Sequence, residues 1–253
     1  ERARQNLLRE GVADERIMVT GNPVIDALQW VAAQAPSPQA CSLLRELGID
    51  GEEGQGSLGA GATERLSDPL RPNTPAPRLI FVTAHRRENF GAPLQEICLA
   101  LRELATSYRD RLRILYAVHM NPNVSQPVHR LLGGLGNVTL TPPLDYLSTV
   151  HLLKHAYLVL TDSGGLQEEA PGLGKPVLVL RELTERPEGV EAGTARIVGV
   201  KREDIVRETV RLLKDHVAYA AMARAVNPYG DGKARHRIVQ GLLKRGGNGR
   251  EAP

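Results

Sequence analysis

The residues Thr161-Asp162-Ser163-Gly164-Gly165 close an apolar run and open a helical pattern, a junction suited to holding a charged oxygen ligand. Glycines without Cβ let a ligand approach the backbone, and the free amides at a helix start, at its positive dipole end, suit a phosphate. The Ser163 hydroxyl adds a donor. Glu169, about a turn and a half further on, can present a carboxylate to paired hydroxyls such as a ribose diol. Together these residues describe a nucleotide diphosphate site. A small-residue turn with ordinary capping fits the same spacing.

Three other junctions carry ionisable groups. VTAHRRENFG delivers His85, Arg86, Arg87 and Glu88 into a loop, where a His and two Arg can bind anionic oxygens and share a proton near neutral pH. A surface cluster would look the same. VHMNPNV places His119 and Asn121 after another apolar run, and RELTERPE offers Arg181 and Arg186. Competing chemistries fail on inspection. Gly174-Lys175 is followed by Pro176, which breaks a Walker A loop; no strand is followed by GxGxxG; and Thr161 replaces the first glycine of a G-x-S-x-G elbow. His151 and His155 stand four apart without a third ligand nearby and read as packed or exposed side chains. Neither a metal nor a cofactor is expected.

The elements that must position these groups are short β-branched runs at 17–20, 79–84, 113–118, 138–141, 157–162, 176–180 and 195–199, separated by helical patterns. The runs are continuously apolar rather than alternating, as strands buried on both faces are, so the expectation is an α/β fold: a Rossmann-like parallel sheet with helices on both faces. In such sheets ligands bind beyond the carboxyl ends of the strands, where all four junctions lie. Helical patterns follow at 203–214, 216–225 and 232–244. Residues 48–77 hold ten Gly or Pro in thirty and no apolar stripe, and read as a flexible insertion.

Of the 253 residues 42% are hydrophobic and 24% charged, which excludes wholesale disorder. The first ten, ERARQNLLRE, form a charged helical pattern that stops near Gly11 and lack a signal peptide's apolar centre. No apolar stretch is long enough for a bilayer, so no membrane partner is expected and a cytoplasmic location is. Cys41 and Cys98 are too few for a disulfide scaffold or thiolate metal cage. A net charge of +3 and nine aromatics, from one Trp, six Tyr and two Phe, give little reason to expect nucleic-acid binding.

At HRRENFG, HMNPNV, TDSGGLQEEAPGLGKPVLVLRELTERPEGVEAGT and NPYGDG, with TGNPVIDAL at 20–28, the sequence resembles the bacterial non-hydrolysing UDP-N-acetylglucosamine 2-epimerase family. The resemblance runs from residue 1 to 244, the 48–77 stretch excepted. It implies the C-terminal half of a GT-B-like fold of two Rossmann-like domains. Residues 1–47 would then lead in from an N-terminal domain, 78–226 form the UDP-binding domain, and 227–253 return toward the other domain. That domain, with its Gly-Thr-Arg-Pro-Glu motif and catalytic carboxylates, has no counterpart before Glu1.

By the same resemblance, Ser163, Gly164 and Gly165 hold the diphosphate, Glu169 the ribose and Arg186 the nucleotide, while Leu144 and Thr149 border the base. His85 is the catalytic candidate. Arg86 and His119 match contacts of a second, activating UDP-N-acetylglucosamine. The implied reaction is inversion at sugar C2 by elimination and re-addition of UDP, without cofactor or metal, in a homodimer of the full-length enzyme. A hydrolysing epimerase, a GT-B glycosyltransferase and a non-catalytic nucleotide-binding fragment are the alternatives.

Overall fold

The structure, a computed structural model, describes residues 2–49 and 77–247. The expected insertion at 48–77 therefore lies outside the described residues except for Gly48, Ile49 and Pro77.

Six parallel strands form one sheet: β1 (Arg78–Thr83), β2 (Leu112–Ala117), β3 (Val138–Thr141), β4 (Ala156–Thr161), β5 (Val177–Val179) and β6 (Ala195–Ile197), in the order β3-β2-β1-β4-β5-β6. Their continuous apolar runs have a direct cause in the two covered faces. Successive β1 side chains alternate: Ile80 and Val82 enter one apolar cluster, Leu79 and Phe81 the other. The first cluster is closed by α4 (Ala92–Ser107), α5 (Pro122–Leu132), α9 (Arg202–Lys214) and α10 (His216–Ala223). The second is closed by α3 (Pro38–Glu46), α6 (Tyr146–His155) and α7 (Gly164–Gly172). Each fully buried aliphatic side chain contributes roughly 1.5–3 kcal/mol, so a polar intruder at either face would be costly.

Three further helices lie around this unit: α1 (Arg2–Arg9), α8 (Pro187–Glu191) and α11 (Ala234–Gly247), while α2 (Pro23–Ala32) packs on both α6 and α7. Gly172 permits that approach, since a Cβ there would fall 2.7 Å from Leu28 Cδ2. Gly11, at φ +84°, ends α1 where its spacing places a helix stop.

The expected strand at 17–20 is not one. Ile17–Thr20 is an extended segment with no sheet partner among the described residues, and Met18 and Val19 are half exposed. It runs beside α11, where Arg237 donates to the Thr20 carbonyl at 3.2 Å. β-branched composition favours extended chain, but a strand also needs a neighbouring edge.

Candidate functional site

The connections after β1 and β4 leave in opposite directions across the sheet, so the order reverses between these two neighbours and opens a crevice at their carboxyl ends. Register does the positioning. Thr83 pairs with Thr161, their hydroxyls 2.7 Å apart, so the loop that follows β1 lies beside Asp162. The Tyr116 hydroxyl, buried under that loop, donates to the Ala84 carbonyl at 2.8 Å.

Asp162 is fully buried and organises the loop. Its Oδ2 accepts from the backbone amides of His85 and Arg86, both at 2.7 Å, and from Asn89 Nδ2 at 3.0 Å. Asn89 also donates to the Leu180 carbonyl at 3.1 Å, tying in the end of β5. The His85 ring, half buried, stacks on His119 with centroids 5.4 Å apart. Burial holds the His85 pKa below its usual value, opposed by Asp162 and reinforced by His119 and Arg86, so its imidazole is neutral near pH 7.

α7 starts here without a cap. Ser163 occupies the cap position, yet its side chain takes no capping hydrogen bond, whereas Ser37 at the start of α3 accepts from the Ala40 amide at 3.0 Å. The amides of Gly164, Gly165 and Leu166 precede the first intrahelical donor, Gln167, and have no partner among the described residues. A Cβ on Gly164 would lie 2.9 Å from Glu185 Oε1, so a carboxylate already rests against this helix start. Glu185 is paired with Arg181 and, at 3.4 Å, with Arg86. Burial alone would raise the Glu185 carboxyl; its own backbone amide, Arg181 and Arg86 outweigh that and keep it below the usual range.

The two adjacent glutamates of α7 are distinct. Glu168 is buried and spent on structure, accepting from Asn22 Nδ2 at 2.6 Å and from Arg186 Nε. Arg186 is thus tied to Glu168, and its carbonyl accepts from the Tyr229 hydroxyl at 3.2 Å, which joins the TGNP, TERPE and NPYG stretches in one network. Glu169 is partly exposed and, among the described residues, its side chain is hydrogen-bonded only to the Tyr146 hydroxyl at 3.0 Å. Burial raises its pKa; Tyr146 opposes the shift and Glu168 adds to it. It stands about 9 Å along the axis from Ser163, from the rise per residue, a spacing that suits a phosphate and the ribose attached to it. Leu144, half buried before α6, packs on the second apolar cluster, and the Thr149 hydroxyl donates to the Asp145 carbonyl at 2.8 Å.

The structure therefore brings His85, Arg86, His119, Ser163, Gly164 and Gly165 together at the ends of β1 and β4, ties Glu169 to Tyr146 at the start of α6, and links Arg186 to α7 through Glu168; among the described residues Leu144 and Thr149 make no hydrogen bond to these groups. The motif spacing gave no role to Asp162, Glu185, Glu168 or Tyr146. For Asp162 a signal existed, an acidic residue ending an otherwise apolar strand. Among the described residues no three His, Cys, Asp or Glu converge as metal ligands, and no helix is long and apolar enough to cross a membrane.

The sequence model of a family described as UDP-N-acetylglucosamine 2-epimerase matches residues 1–243. An Escherichia coli UDP-N-acetylglucosamine 2-epimerase is 50% identical over 246 residues, covering 96% of this chain and 58% of the relative. Among solved structures, the Neisseria meningitidis UDP-GlcNAc 2-epimerase bound to UDP-GlcNAc is 38% identical, with a TM-score of 0.76 over 95% of this chain and 59% of that one. S. aureus MnaA in complex with UDP is 36% identical, with a TM-score of 0.80 over 99% and 60%. The chain thus spans less than two thirds of the length of these relatives.

Proposed function

The chain belongs to the UDP-N-acetylglucosamine 2-epimerase family, and on that premise we propose that it is the UDP-binding half of an enzyme interconverting UDP-N-acetylglucosamine and UDP-N-acetylmannosamine. The observation that carries this reading is the uncapped start of α7. Ser163 and three free amides face a crevice that also holds a neutral, half-buried His85.

In the proposed division, residues 1–47 lead in from an N-terminal domain, 78–226 bind the nucleotide and 227–253 return toward that domain. The diphosphate lies on Ser163, Gly164 and Gly165, the ribose on Glu169, the base beside Leu144 and Thr149, and Arg186 closes on the nucleotide. Arg86 and His119 would serve a second UDP-sugar. The full-length enzyme would act as a cytoplasmic homodimer.

Chemistry proceeds by elimination. A base from the N-terminal domain takes the C2 proton, the C1–O bond breaks with its electron pair leaving on UDP, and a C1–C2 double bond forms. UDP then returns to C1 as a proton is delivered to the opposite face of C2. Fixed amides and His85 stabilise the charge that builds on the departing diphosphate.

The test is to incubate the full-length protein with UDP-N-acetylglucosamine in deuterium oxide. Formation of UDP-N-acetylmannosamine with deuterium at C2 is expected; free N-acetylmannosamine with UDP would mark a hydrolysing enzyme, and an unchanged sugar would contradict the proposal. The 253-residue chain alone is expected to bind UDP without turnover.

A further inference from the structure

Asp162 uses only one of its two carboxylate oxygens. Oδ2 holds the loop through three donors, while Oδ1, equally buried, has no hydrogen-bond partner among the described residues. Orphaned buried acceptors are rare in folded proteins, and the nearest cationic candidate is His85 Nδ1 at 3.8 Å. We propose that Asp162 is a positioning residue: its Oδ1 accepts a hydrogen bond from His85 Nδ1–H, fixing the ring in the tautomer whose Nε2 faces the departing diphosphate.

Geometry limits the alternatives. The His85 backbone is anchored to the same carboxylate, and its ring is stacked on His119, so a small rotation within the stack closes the remaining distance of about 1 Å to hydrogen-bond length. His119 cannot supply the partner. Its own Nδ1 accepts from the Asn121 amide at 3.1 Å. The other charged group acting on His85 is Arg86 on the same loop, which has only donors to offer, while the Glu185 carboxylate is paired with Arg86 and Arg181. With Nδ1–H donating to Asp162, Nε2 is the atom that takes up a proton from solvent as the diphosphate anion arrives. It donates that proton in a hydrogen bond to the β-phosphate oxygen as the C1–O bond breaks. This inference rests on His85 acting at the diphosphate, as proposed above; the assignment of its tautomer does not.

Asp162→Asn separates the two jobs of the side chain. The amide oxygen can keep the three loop donors, which places the NH2 group opposite Nδ1 and forces that nitrogen to accept. Long-range proton–nitrogen correlation spectra of the nitrogen-15-labelled chain, with His85→Gln to assign the signal, report which ring nitrogen carries the proton. The expected result is Nδ1–H in the wild type, free and with UDP, and Nε2–H in Asp162→Asn. A wild-type His85 whose Nδ1 carries no proton would overturn the proposal, and this measurement decides the matter even where the variant fails to fold. An unchanged tautomer in a folded variant would overturn it equally. UDP calorimetry on the same samples keeps the premises apart, because absent UDP binding contradicts the nucleotide site while the free-chain tautomer still tests Asp162. In the full-length enzyme, Asp162→Asn is expected to lower kcat about a hundredfold or more with KM within a few-fold. Unchanged kcat would also overturn the role.

Discussion

The half of the site built on β1, β4 and α7 and the half built around α6 treat their polar groups in opposite ways. At the start of α6 they are satisfied locally: Asp145 caps the helix by accepting from the Ser148 amide at 2.7 Å, and the Thr149 hydroxyl is turned back to the Asp145 carbonyl. At the start of α7 the amides and the Ser163 hydroxyl are left open, and the arginines are paired with a carboxylate that can be exchanged. The difference teaches where ligand energy would come from. Donors held open gain full hydrogen bonds to an anion, whereas the α6 side offers mainly shape.

The contrast can be broken most severely at Gly164. A valine there would collide with Glu185 and cover the open amides, so calorimetry should show UDP affinity reduced by about a hundredfold or more. An affinity near that of the wild type would mean that the helix start is not the diphosphate site. In the full-length enzyme His85→Ala should cut turnover by about a hundredfold while leaving UDP affinity within a few-fold, the signature of an interaction made mainly in the transition state. Loss of UDP affinity with little change in turnover would instead make His85 a ground-state ligand.

Smaller effects sharpen the comparison. Glu169→Ala removes the ribose acceptor and should cost about 1–2 kcal/mol, or about five- to thirtyfold in UDP affinity. No change would exclude Glu169 from the site. The smallest effect is one of pH. Because burial, His119 and Arg86 keep the His85 pKa below its usual 6.5, its ring is neutral at pH 7 and gains charge only as the pH falls. Affinity for UDP-N-acetylglucosamine, whose diphosphate diester does not titrate near neutrality, should therefore tighten by less than about tenfold below that range, since a bound diphosphate raises the His85 pKa. The slope should vanish in His85→Ala. Weakening on acidification would reverse the sign and contradict the placement.

What the sequence reveals about this site follows the range of the interactions. Strands buried on both faces announce themselves by continuous apolar runs: 138–141 is a strand with those bounds, and the runs at 79, 113, 157, 176 and 195 are strands shifted or trimmed by a residue or two. Ile17–Thr20 has the same composition and is no strand, because pairing depends on an edge that composition does not specify. Ser163, Gly164 and Gly165 are legible because a glycine pair at a strand-to-helix junction is a local feature. Asp162 and His85 meet only through the β1–β4 register, 77 residues apart in sequence, and Glu185 reaches Gly164 from the segment after β5. No spacing rule encodes these contacts.

The central claim is that the open amides at the start of α7 receive the diphosphate. Amide correlation spectra of the 253-residue chain, recorded as UDP is added, test it most directly. Saturable shifts of Gly164, Gly165 and Leu166, larger than those of any α6 amide, are expected. Saturable UDP binding that leaves these three amides unmoved would contradict it.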